Sequence, residues 1–136
     1  MVPGEVTLSL DIRHSHDAER LVASERFIDL AADIAKDRNI ALATTRISEN
    51  ASVPTSPHLT SMLVQASEGL GHETIQLASG AGHDAVVMAR LTEVAMLFVR
   101  CKGGVSHNPA ESVTEADVAV AIDVLGQFLE LMAAQH

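Results

Sequence analysis

The residues of this 136-residue chain with the types and spacing for chemistry are two histidines set among glycines and one arginine on an alternating segment. His107 stands in Gly103-Gly104-Val105-Ser106-His107-Asn108-Pro109-Ala110-Glu111, behind two glycines that let the backbone fold closely. Neutral imidazole is the commonest side-chain ligand of a borderline divalent metal, and open α/β sheets place their sites at the C-terminal ends of strands. A lone loop histidine is nevertheless more often a solvent-exposed ring, and both readings stand. His83 follows Ser79-Gly80-Ala81-Gly82 and precedes Asp84 at an expected helix start, where free backbone N–H groups favour an anion over a protonated imidazole. A neutral His83 can donate a hydrogen bond to a carbonyl or oxyanion. The alternative is that the glycines only make the turn and Asp84 only caps the helix.

Arg13 lies on one strand face with Asp11, which suggests a salt bridge first and a fork for a substrate carboxylate second. His14 and His16 flank Ser15, but a His-x-His pair without further ligands is no metal signature, so both are read as surface residues. Cys101 has no recognisable base partner and is not assigned as a nucleophile.

The elements that must position these groups follow from apolar spacing. Glu5 to Arg13 alternates strictly, with Val6, Leu8, Leu10 and Ile12 on one face, and predicts a half-buried strand. Asp17 to about Lys36 has helical spacing, with Asp17 as N-cap and Asn39 as stop; Ile40 to Ile47 is a second strand. Ser48 to Thr55 is turn-rich and marks a boundary, giving units of residues 1–50 and 51–136. Beyond it, Ser56-Pro57 opens a helix that ends at Gly71. His72 to Ala78 is a strand and His83 to Leu91 a short helix. The unbroken apolar run Val94 to Val99 predicts a strand buried on both faces, and Thr114-x-x-Asp117 opens a last helix running to about Met132. The class is α/β, with a strand-helix-strand unit of only two strands, marginal by itself, ahead of helix and strand layers.

Composition removes several functions. A formal charge of −9 and only 2% aromatic residues leave neither a basic patch nor stacking surfaces for nucleic acid, and an anionic membrane would repel such a surface. No apolar run approaches a membrane span, no basic-then-apolar leader is evident, and a single cysteine fits a reducing compartment, so cytoplasm is the expected location.

Three segments together carry a resemblance. Pro3-Gly4-Glu5-Val6-Thr7-Leu8-Ser9-Leu10-Asp11-Ile12-Arg13-His14, Ser79 to Ala85, and Met96 to Glu111 resemble the two-metal aminoacylase and carboxypeptidase group. The branch is the one holding allantoate amidohydrolase, ureidoglycolate amidohydrolase, N-carbamoyl-L-amino-acid hydrolase and β-ureidopropionase. The likeness covers nearly the whole chain and corresponds to the C-terminal part of such an enzyme. It implies that residues 1–50 are part of a smaller lid, or dimerisation, domain and that 51–136 are the C-terminal portion of a peptidase-like catalytic domain. It implies His107 as the last metal ligand, His83 at the scissile carbonyl with Gly82 able to offer a backbone N–H, and Arg13 on the substrate carboxylate. It also implies a homodimer formed through the lid, a divalent cofactor, zinc or manganese, and a small ureido or amide substrate bearing a carboxylate.

The family's first metal ligands come in an H-x-D motif and an acidic pair whose first Glu is the general base; neither H-x-D nor Glu-Glu occurs here. Two-metal hydrolysis needs bridging carboxylates, a base and a Lewis acid, which one histidine cannot supply. The expectation is therefore a fragment or split-gene product of an amidohydrolase, inactive in isolation, and the alternative is an inactive remnant serving only folding or dimerisation.

Overall fold

A computed structural model of the chain describes residues 3–135. Four α-helices form in chain order, α1 (Asp17–Asp37), α2 (Pro57–Gly69), α3 (Asp84–Met88) and α4 (Glu115–Ala133), with a 3-10 turn at Lys102–Gly104. The chain divides into two compact units: one runs up to Ser52 and takes in Ala78–Ala81, and the other holds Val53–Leu77 and everything from Gly82 onward.

Local chemistry sets the helix ends. Ser56 is the N-cap of α2, its hydroxyl accepting the Leu59 N–H at 3.4 Å, and Pro57 occupies the first helical position, where its missing N–H costs nothing. Its other end closes with Gly71 at φ 82°, while the Gly71 and His72 N–H groups return to the Glu68 and Ser67 carbonyls. The same closure ends α1, with Asn39 at φ 51° and the Asn39 and Ile40 N–H groups bonded to the Lys36 and Ala35 carbonyls. At α4, Thr114 Oγ1 accepts the Asp117 N–H at 3.1 Å and donates to the Asp117 carboxylate at 2.6 Å.

Two helix starts differ from expectation. His16, not Asp17, is the N-cap of α1, because the Asp17 carboxylate accepts the Ser52 N–H through both oxygens at 3.1 Å and also takes Arg20. That backbone hydrogen bond from Ser52 is the main reason the Asp17 carboxyl lies below its ordinary range. The expected helix from His83 to Leu91 shortens to Asp84–Met88 and then unwinds into i→i+3 bonds at Arg90 and Leu91.

The four expected strands, at residues 5–13, 40–47, 72–78 and 94–99, are not realised as strands among the described residues. Alternation chooses a face but supplies no partner, and an unpaired segment gains no ladder. Leu8 is 87% and Ile47 90% exposed, so the apolar sides of the first two segments remain uncovered. Residues 94–99 are not buried on both faces either: Phe98 is 51% exposed.

The core is correspondingly thin: Ala35 of α1 is the buried apolar residue among those described in the first unit, and the rest lie in the second unit's helix pair. Helix α2 packs against α4, and Met62 and Ala66, one turn apart on the same face of α2, are buried, as is Val124 of α4. Buried Ser56 ties this pair to the neighbouring segment, since its hydroxyl donates to Glu93 at 2.8 Å and its N–H to the Val94 carbonyl at 2.8 Å. Burying a methionine contributes roughly 1.5–3 kcal/mol. We predict that Met62→Ala lowers the stability of this unit by about 2–5 kcal/mol, whereas Met62→Leu costs less than ~1.5 kcal/mol. Urea denaturation followed by circular dichroism reads both, and an unchanged midpoint in Met62→Ala would contradict the packing.

Candidate functional site

The His107 loop is built before its histidine is placed. The Lys102 N–H donates to the Ser112 carbonyl at 2.8 Å, closing the base of the loop. Gly103 and Gly104, at φ 66° and 70°, turn the chain inside it in the left-handed region that glycine enters without steric cost. Asn108 Oδ1 then accepts the Ala110 N–H at 2.9 Å, and the Asn108 carbonyl accepts the Glu111 N–H at 2.8 Å.

His107 itself sits at φ 55°, a conformation costing a non-glycine residue about 1–2 kcal/mol. The Glu111 carboxylate holds it there by accepting the His107 N–H at 2.7 Å. The imidazole is exposed and makes no hydrogen bond among the described residues, so its nitrogens are available to a ligand. The strain is thus confined to the backbone at one residue and is held by a charged acceptor four positions on.

His83 is half-buried at the N-cap position of α3, with extended backbone and no side-chain capping bond. Its ring meets Phe98 edge-on, with centroids 6.1 Å apart, which orients the imidazole against residues 94–99. Asp84 is the first helical residue rather than the cap. Gly82 is exposed, and a Cβ there would meet nothing within 4 Å, so steric crowding in this chain does not require glycine at that position.

Arg13 lies in the first unit and His83 and His107 in the second. Its guanidinium is exposed and engaged: Nε and Nη2 donate to the Asp11 carboxylate at 2.5–3.1 Å, and Nη1 donates to the Gly80 carbonyl. This salt bridge is local, between residues two apart on one segment. Hydrogen bonding from Arg13 holds the Asp11 carboxyl below its usual range, and the same bond raises Arg13. Asp11 thus occupies the fork in the way a ligand carboxylate would.

One residue that the linear pattern did not single out joins the others through the fold. Glu19, in the first turn of α1, points its carboxylate at both His14 and His16. The available signal was the three-residue step from His16 to Glu19, which brings them together only once the helix starts at Asp17. Among the described residues, this is where three potential metal-ligating side chains converge; the group does not include His107.

Residues 9–131 match the sequence pattern of peptidase family M20/M25/M40, and the chain belongs to that family. The family is one of α/β peptidase-like folds that generally use divalent metal ions. Within the family, the chain is 40% identical over 141 residues to the "Probable allantoate deiminase" of Oryza sativa subsp. japonica, covering 96% of this chain and 29% of that protein. It is 36% identical to the "Allantoate deiminase" of Arabidopsis thaliana, over 96% of this chain and 26% of the relative. Against the "N-carbamoyl-L-amino acid amidohydrolase" of Geobacillus stearothermophilus it is 38% identical, over 92% of this chain and 31% of the relative. The chain spans less than a third of the length of these relatives. No solved structure gives a significant match. No helix among the described residues is long and apolar enough to cross a membrane.

The Asp11–Arg13 pair yields a titration with a definite sign. Because the folded Asp11 value is depressed, the pairing is fully present above the ordinary aspartate value of about 3.9 and is lost as pH falls through the lower, folded value. We predict that Arg13→Ala returns Asp11 to the ordinary range, read from its carboxyl carbon chemical shift against pH; no change on removing Arg13 would dissolve the pair.

Proposed function

We propose that this chain is the C-terminal part of a metal-dependent amidohydrolase that cleaves a non-peptide C–N bond in a linear ureido or amide compound bearing a carboxylate. The class of substrate is that of an allantoate or an N-carbamoyl amino acid. The observation that carries the reading is the His107 loop, where a strained backbone and the Glu111 carboxylate present a bare imidazole, in a chain aligned over nine-tenths of its length with amidohydrolases and deiminases.

In this reading His107 supplies one metal ligand. The described residues bring no set of three ligands around it, so a two-metal centre, of zinc or manganese, needs ligands and a general base from other residues, and the chain alone is inactive. The remaining roles belong to this chain's own groups. His83, at the N-cap position of α3 and oriented by Phe98, donates a hydrogen bond to the carbonyl oxygen as it gains negative charge. The Gly82 backbone N–H adds a second donor. Arg13 exchanges Asp11 for the substrate carboxylate, keeping the bidentate geometry and fixing the reacting carbonyl by its remote end.

The first unit, in this reading, is part of a lid whose segments at 5–13 and 40–47 gain strand partners when their exposed apolar faces are covered. A second copy of the chain is the occupant proposed, giving a homodimer. Size-exclusion chromatography with light scattering is expected to give twice the chain mass, and a monomer at all concentrations would remove the dimer from the reading.

The catalytic assignment is tested by joining this chain to the N-terminal two-thirds of the Geobacillus relative. We expect metal-dependent hydrolysis of an N-carbamoyl amino acid, lost in His107→Ala. Arg13→Ala is expected to lower kcat/KM about a hundredfold, the equivalent of one charged hydrogen-bonded contact, mostly through KM. Full activity in His107→Ala would sink the ligand assignment.

A further inference from the structure

The entry to α1 gathers two imidazoles and a carboxylate that none of the roles above uses. His14 Nε2 lies 3.4 Å from Glu19 Oε2, and His16 Nδ1 lies 3.8 Å from Glu19 Oε1. The His14 and His16 rings stand 5.5 Å apart, and one ligand atom from each of the three side chains falls within 4.8 Å of the others. Two nitrogen or oxygen ligands at 2.0–2.1 Å from a tetrahedral ion are separated by roughly 3.3–3.4 Å. The His14–Glu19 spacing already has that value, and the others approach it with small side-chain rotations.

The surroundings of His14 favour ligation. Its Nδ1 lies 3.2 Å from the His16 carbonyl oxygen. A proton on Nδ1, donated to that carbonyl, leaves the Nε2 lone pair free on the side facing Glu19. Metal-ligating histidines commonly donate their second ring N–H to a backbone carbonyl in this way. The competing tautomer, in which Nδ1 accepts the His16 N–H at 3.1 Å, puts the proton on Nε2 and blocks the site. An ion therefore selects the first.

Charge decides in the same direction. A cation at a helix N-terminus is disfavoured by the exposed N–H groups, but Glu19 in the first turn of α1 is itself the ligand and supplies the compensating negative charge, Asp17 being paired with Arg20. Two imidazole nitrogens and one carboxylate suit a borderline divalent ion of the zinc, cobalt or nickel type rather than calcium or magnesium. The side chains of His16 and Glu19 are 72% and 68% exposed, so the fourth coordination position opens to water.

We propose that His14, His16 and Glu19 form a second metal site, separate from the His107 centre, that binds one borderline divalent cation with a solvent molecule as fourth ligand. The site stands on the local geometry of α1 and its entry, independently of the function proposed for His107.

The untagged chain titrated with zinc chloride tests this, followed by isothermal calorimetry and by the imidazole carbon-bound proton resonances. One equivalent is expected to bind, shifting the His14 and His16 resonances. His14→Ala and Glu19→Gln are each expected to weaken binding by at least about tenfold, the loss that even an outer-sphere partner causes. Glu19→Gln keeps the size of the side chain at the helix start, so its effect is readable if the histidine variant folds poorly. His107→Ala is expected to leave this equivalent in place. Absence of zinc uptake, uptake that survives in His14→Ala with Glu19→Gln, or equal loss in His107→Ala would overturn the proposal.

Discussion

The contact between α2 and α4 is what the second unit hangs on. Ala66 has no exposed surface, and Met62 and Val124 have almost none, in a chain whose other large apolar residues are mostly half-buried or exposed. Hydrophobic contact of this kind is non-directional, so it needs something to set its register. Ser56 does so: it caps α2, donates its hydroxyl to Glu93 and donates its N–H to the Val94 carbonyl. One buried hydroxyl thus fixes where α2 begins and which segment runs beside it. Residues 94–99, tethered there, carry Phe98 to His83 and lead on to the loop of His107.

That loop spends conformational energy in one place. A left-handed histidine between two left-handed glycines and a proline would relax if nothing held it, and the Glu111 carboxylate on the His107 N–H is the restraint. Its backbone bonds close within twelve residues, from Cys101 to Ser112. A loop satisfied internally can keep its base fixed while its tip carries an imidazole that makes no hydrogen bond among the described residues.

The first unit is organised by charge more than by burial. Asp17 receives Ser52 and Arg20, Arg20 reaches on to Glu49, and Glu49 also takes Arg46, so a chain of polar contacts binds the start of α1 to the segment before the unit boundary. Pairs of this kind, open to solvent on at least one side, are individually weak. Their effect is to direct side chains, and one consequence is that Asp17 is withdrawn from capping and His16 takes the cap position beside Glu19.

What the sequence by itself determined is local and chemical. Helix ends at Ser56-Pro57, Gly71, Asn39 and Thr114-x-x-Asp117 were legible because capping and left-handed closures involve residues only a few positions apart. Family membership was legible because three short motifs carried the resemblance, and residues 9–131 match the family. The strands were not decided this way: the alternation of Val6, Leu8, Leu10 and Ile12 states which face seeks cover, but a ladder requires a partner that no neighbouring residue supplies. The Asp11–Arg13 salt bridge was legible too, but only the tertiary structure decided that Arg13 also reaches the Gly80 carbonyl, that His83 is turned by Phe98, and that Glu19 faces two histidines. The first two join residues far apart in the chain, and the third depends on which residue begins a helix. The motif around His107 named a candidate residue, and the fold showed what holds its backbone in place: one carboxylate four residues on.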